Sequence, residues 1–203
     1  PAPLGISPEL NPHPFDPDKA RQLLTEAGYK NPDNPDGKDF GKLIINTWVS
    51  VSMPVMPESA QLAAEFWKRE LGIDTEVRVG DKVALGKLVK TTDQLDGQIR
   101  WADDEARLDG SSHLRSLYGN PERFDPAHKD PDLFALTQET MGIFDPVERE
   151  KVLNSTYRRL REEAYYTPVG YINIPWGVGP RVLTWEPLPL ALYPSGLHTI
   201  TLK

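Results

Sequence analysis

The chain has no cysteine, which excludes disulfides, thiolate metal sites and thiol catalysis while fitting a reducing or an oxidising compartment equally well. No apolar run approaches the roughly 18 residues that a membrane-spanning helix needs. The first residues, PAPLGISPELNPHP, lack the basic and apolar regions of a signal peptide, so neither insertion nor export is expected of this stretch. Excess positive charge is missing as well. With a net charge of -7 the chain lacks the clustered Lys and Arg that phosphate neutralisation requires, and no nucleic-acid partner is expected. The fingerprints of phosphate-binding loops, zincins, serine-hydrolase elbows and dinucleotide turns are absent. GVGPR at 177–181 has too few glycines and a proline where a helix would start. Histidines 13, 113, 128 and 198 show no i, i+4 pairing, and no cofactor or metal is expected.

What the chain does contain is proline, 20 residues in 203, about twice the average usage of roughly 5%. The prolines gather at 1–17, 32–35, 54–57 and 168–194 and mark connections and extended ends. The 38% hydrophobic content suffices for a core, so the chain reads as globular, with one large domain or two small ones. In FDPDKARQLLTEAGYKNPD, Asp16 is a helix cap, Pro17 suits the first helical position and Gly28 suits a left-handed stop. Ala20, Leu23, Leu24 and Ala27 are spaced as one buried face. LIINTWV at 43–49 reads as a buried strand. A helix then runs from Pro57 to a stop at Gly72, with Ala60, Ala63, Ala64, Trp67 and Leu71 on its apolar face. In IDTEVRV the period becomes two, with Ile73, Thr75, Val77 and Val79 inward. About 23 residues separate the two strands, enough for a right-handed crossover, so they are predicted to be parallel. The order repeats with a helix capped by Asp81, carrying Ala84, Leu85, Leu88 and Val89, and a strand at 98–102.

From Asp103 to Pro131 no period is sustained, and a long surface excursion is predicted. A helix follows near Asp132. Another starts after Asp145 and Pro146, with Glu148 able to complete a capping box and Leu153, Tyr157, Leu160 and Ala164 as its core stripe. The last 36 residues are rich in proline and aromatics and read as separated strands. The fold class predicted is α/β (α+β), a mixed sheet with βαβ units and packing helices.

Two stretches carry candidate chemistry. DGSSHLRS holds Asp109, Ser111, Ser112 and His113, the residue types of a hydrolytic triad, and a polar loop explains them equally. In WADDEAR, Trp101 ends a strand and Asp104 lies three residues on. Asp103 stands beside it, and Arg100 and Arg107 bracket the pair. An aromatic face next to a carboxylate can receive a ligand ammonium group, and a core tryptophan with a capping aspartate is the alternative.

Taken together, FDPDKARQLLTEAGY, SAQLAAEFWKRELGIDTEV, QIRWADD, DPVEREKVLNSTYRRLREEA with TPVGY, and WGVGPRVLTWEP resemble the C-terminal lobe of the family 5 extracellular solute-binding proteins. These are the dipeptide, oligopeptide and nickel binding components of ABC importers. The resemblance implies a periplasmic-binding-protein type II lobe over 1–174 and an extended segment over 175–203 that returns to an N-terminal lobe missing from this stretch. It implies a parent protein that is periplasmic or at the cell surface, free or lipid-anchored. Its partners would be a peptide or other small solute, the missing lobe and ABC permease subunits. In peptide-binding members an Asp three residues after this Trp receives the peptide α-amino group, which maps onto Trp101 and Asp104. EARLDG replaces the family's aromatic and Asp-Pro residues here, so Asp103 is kept as an alternate. The expected function is solute binding for uptake, without catalysis. A Ser/His hydrolase using 109–113 is the alternative.

Overall fold

A computed structural model describes residues 13–51, 53–91, 95–103, 109–119, 129–170, 175–187 and 194–203. The side chains of 89–91 are outside that description, so the inward role read for Val89 is too. The chain divides into two compact units, one over 13–103 and one holding the described residues from 109 onward.

In the first unit, α1 (Pro17–Glu26) starts as its caps predict: the Asp16 carboxylate accepts the Lys19 N–H at 2.9 Å, and Gly28 follows at φ +79°. Its buried stripe is corrected. Leu23 is 53% exposed and no residue of the helix is fully buried. Polar ties take the place of the stripe: the Arg21 guanidinium donates to Asp33 at 2.9 Å and to the Glu70 carbonyl at 3.2 Å, and it also pairs with Asp18.

β1 (Leu43–Thr47), α2 (Met56–Leu71) and β2 (Thr75–Val79) form the predicted βαβ unit. β1 and β2 are parallel, with Leu43 opposite Thr75 and Thr47 opposite Val79. Gly72 ends α2 at φ +71°, a conformation that costs other residues roughly 1–2 kcal/mol. α3 (Lys82–Thr91) is capped by Asp81, which accepts the Val83 and Ala84 N–H groups at 3.0 and 2.9 Å. β3 (Gln98–Arg100) then joins the free edge of β1, also parallel, giving the order β2-β1-β3. Ile45, Trp48, Met56, Ala60 and Ile73 are the buried apolar residues among the described residues of this unit. Val79, predicted inward, is exposed at the strand's end. On the wet face of β2, Arg78 and Lys42 donate to Glu76 and hold its carboxyl at about 2.

The second unit corrects the sequence reading in two places. Within the predicted surface excursion, Gly110–Tyr118 is a helix, α4, capped by the Asp109 carboxylate on the Ser111 N–H at 2.7 Å. α5 (Pro131–Gly142) and α6 (Pro146–Glu162) begin on Asp130 and Asp145, each accepting two backbone N–H groups. α5 packs on both α4 and α6, and Leu114, Tyr118, Leu133, Leu153 and Leu160 make the core. Ala164, predicted in the stripe of α6, lies past its end at φ +53°. In the tail, β4 (Val182–Thr184) pairs antiparallel with β5 (Thr201–Leu202), as the extended composition suggests.

Candidate functional site

Three parallel strands leave their carboxyl ends on one edge of the first unit, the edge where open α/β sheets place ligands. β3 runs straight into the WADD stretch. The Trp101 N–H donates to the Asn46 carbonyl at 2.9 Å, which extends pairing with β1 by one residue. Its indole Nε1–H donates to Ser59 Oγ on α2 at 2.9 Å, and Ser59 in turn donates to the Met56 carbonyl at 2.7 Å. Trp101 is thereby half-buried and fixed between the strand end and the crossover helix.

Asp103 is held from the segment that follows β1. Ser50 Oγ donates to Asp103 Oδ2 at 2.6 Å, a length typical of a hydroxyl on an ionised carboxylate. Arg100 turns to a different aromatic from the one adjoining it in sequence: its guanidinium lies 5.2 Å from the centroid of Trp48. Lys82 Nζ, from the first residue of α3, is 5.4 Å from the same ring. Both separations are within cation–π range. Trp48 is only 3% exposed, and its Nε1–H has no acceptor among the described residues.

Of the five residues singled out in the sequence, Arg100, Trp101 and Asp103 thus come together at the β3 end, whereas Asp104 and Arg107 lie outside the described residues. The structure adds Trp48, Ser50 and Lys82, which sequence reasoning did not select. TWVS follows β1 directly, and a polar and aromatic run at the end of a central parallel strand is the signal that could have found two of them.

The triad-like stretch receives structural tasks. Asp109 caps α4 and lies 3.4 Å from Arg149, Ser111 is buried with its hydroxyl on the Thr140 carbonyl at 3.4 Å, and Ser112 donates to the Asp109 carbonyl. His113 Nδ1 is 3.0 Å from the Tyr157 hydroxyl. These hydrogen bonds build a helix start and its packing, so the hydrolase alternative loses its motif.

Comparison with known proteins agrees with this reading. The family described as bacterial extracellular solute-binding proteins, family 5, middle region, matches residues 1–118. Heme-binding protein A of Haemophilus influenzae is 26% identical over 190 residues, covering 83% of this chain and 32% of that protein. Di/tripeptide-binding protein 4 of Pseudomonas aeruginosa is 27% identical over 174 residues, with 83% and 30% covered. The chain therefore spans about a third of the length of these curated relatives. Among solved structures, a periplasmic oligopeptide-binding protein from Borrelia burgdorferi superposes with a TM-score of 0.63 at 18% identity, over 81% of this chain and 31% of that one, a likeness of fold. With more than half of its residues matched by the family's own pattern, and with the parallel α/β unit that the resemblance implied, the chain belongs to the family 5 bacterial extracellular solute-binding proteins.

Proposed function

We propose that the protein is the solute-binding component of an ABC importer, taking a peptide or similar small solute at the carboxyl edge of the β2-β1-β3 sheet and releasing it unchanged to permease subunits. The observation that carries this reading is the fixed carboxylate of Asp103 beside the anchored Trp101, at the edge where a parallel sheet receives ligands. The curated relatives, one named for heme and one for di- and tripeptides, support a small organic solute. Exposed valines add to this. Val49 and Val51 flank Ser50 in the chain, and Val79 and Val83 lie on either side of the turn that carries Lys82. A rim of apolar side chains around a few polar groups is the composition of a ligand site. On the family resemblance, Asp104 and Arg107 are kept as proposed ligand-binding residues alongside Arg100, Trp101 and Asp103, and a further lobe of the same protein closes over the solute from outside the 203 residues. The parent works in the periplasm or at the cell surface.

The test is calorimetric titration of the full-length protein with a pooled set of di- and tripeptides, alongside Asp103→Ala and Asp104→Ala. Loss of the carboxylate that faces a ligand ammonium is expected to weaken binding by about 10- to 100-fold in at least one variant, with the far-UV spectrum unchanged. Binding of wild-type strength in both variants would remove these aspartates from the site.

A further inference from the structure

The ring of Trp101 is held by a residue 42 positions earlier in the chain, on the crossover helix. The indole Nε1–H donates to Ser59 Oγ at 2.9 Å, and the Ser59 hydroxyl spends its own proton on the Met56 carbonyl at 2.7 Å. That leaves only lone pairs for the indole, so the bond runs in one direction. Neither partner needs it for the sake of the fold. A serine that bonds back to its own helix competes with the helix ladder and does not strengthen it. Trp101 is half-buried, and the need to give an indole N–H a protein acceptor belongs to full burial.

Two further bonds tie the exit of β3 to earlier parts of the chain. The Trp101 backbone N–H donates to the Asn46 carbonyl on β1, and Ser50 donates to the Asp103 carboxylate. These fix a backbone and a carboxylate, whereas Ser59 acts on the ring. A tryptophan fixed at its backbone alone still has two side-chain torsions to settle, and a fixed acceptor for its N–H selects among them. We propose that Ser59 is a positioning residue of the solute site: through its hydroxyl α2 sets the plane of the Trp101 ring, and solute affinity depends on that hydroxyl although it is spent on Trp101 and Met56. The proposal rests on the solute-binding reading above and adds to it a part for the crossover helix. A ring preset in one plane meets the solute without first giving up torsional freedom, which is how a supporting residue raises affinity.

The experiment uses the full-length protein, calorimetric titration with a pooled set of di- and tripeptides, and the variants Ser59→Ala, Ser59→Thr, Trp101→Phe and the Ser59→Ala/Trp101→Phe double variant. Ser59→Ala is expected to weaken binding about 3- to 10-fold, the worth of one neutral hydrogen bond. Ser59→Thr keeps the hydroxyl and is expected to restore binding to within about 2-fold of the wild type. In the Trp101→Phe background, which has no N–H to hold, Ser59→Ala is expected to change affinity by less than about 2-fold. The indole N–H resonance that Trp101→Phe removes is expected to move upfield in Ser59→Ala and to stay in place in Ser59→Thr. Equal weakening by Ser59→Ala in both backgrounds would reduce Ser59 to a structural residue of α2 and overturn the proposal. An indole resonance unmoved by Ser59→Ala would overturn it as well. Wild-type binding that Ser59→Ala leaves intact would sink this inference alone, whereas a wild-type protein that binds none of the peptides would sink the peptide form of the solute-binding reading and this inference with it. If Ser59→Ala does not fold, Ser59→Cys, close in size and a weak acceptor, carries the same predictions.

Discussion

Asp130→Ala is expected to destabilise the helical unit by about 3 kcal/mol, read as a rise in amide exchange along α5 and α6. Asp130 is 5% exposed and does two jobs at once. Its Oδ1 accepts the Asp132 and Leu133 N–H groups at 3.0 Å each, and a lost cap costs about 1 kcal/mol. Its two oxygens also accept Arg159 Nε at 2.7 Å and Nη2 at 3.0 Å, which ties the start of α5 to the last turns of α6. Breaking a buried pair costs about 3–5 kcal/mol, and the lower end applies here because the Arg159 side chain remains 32% exposed. Asp130→Asn keeps a capping oxygen and is expected to lose less.

The same pair sets an acid limit. Arg159 holds the Asp130 carboxyl below the usual carboxylate range, with the two backbone N–H groups helping and burial opposing. A carboxyl whose value is lowered on folding stabilises fully above its unfolded value, near 3.9, and loses that contribution as pH falls through the folded value. The difference in stability between wild type and Asp130→Asn should therefore stay level from about pH 5 to 8 and shrink below about pH 4. A difference that instead grew on acidification would contradict the pairing.

Leu133→Ala is expected to cost about 2–5 kcal/mol in the same exchange measurement. Leu133 is fully buried in the core that α4, α5 and α6 share, so its loss removes contacts that its neighbours cannot all recover by collapse. Leu183, 60% exposed on β4, makes the contrast: its replacement by alanine should change stability by about 0.5 kcal/mol or less. Comparable effects at the two positions would show that the helical core is not where this unit's stability lies.

Capping chemistry was the most legible part of the sequence because it is local. Asp16-Pro17 and Asp145-Pro146 each place a carboxylate and a fixed φ at a helix start, and each helix begins there, whereas the same signal at Asp130-Pro131 went unread and α5 was only placed near Asp132. Period two after Gly72 and the length of the crossover were equally local, and they led to parallel β1 and β2. α4 escaped notice because Gly110, Ser111 and Ser112 are weak helix formers, and it is Leu114 and Tyr118, packed on other helices, that stabilise it. Hydrophobic periodicity also missed Thr137, Thr140 and Thr156. All three are buried, and each hydroxyl donates to a carbonyl of its own helix, which removes the cost of burying it. The apolar stripe of α1 misled in the opposite sense, since spacing shows which residues share a face and not whether another element covers it.

Half of the candidate site was legible for a related reason. Trp101 and Asp103 adjoin a strand end that the period located, whereas Trp48, Ser50 and Lys82 reach the site only through the strand order, which sets β1 between β2 and β3. That order is a tertiary fact with no local signature.

The central claim is that this edge of the sheet binds a solute for uptake. The most direct test is native mass spectrometry of the full-length protein purified without unfolding, compared with the Asp104→Ala protein prepared in parallel. The account predicts a co-purifying adduct of peptide mass on the wild type that is lost from the variant. A wild-type protein that stays bare, and gains no mass when a peptide mixture is added, would contradict it.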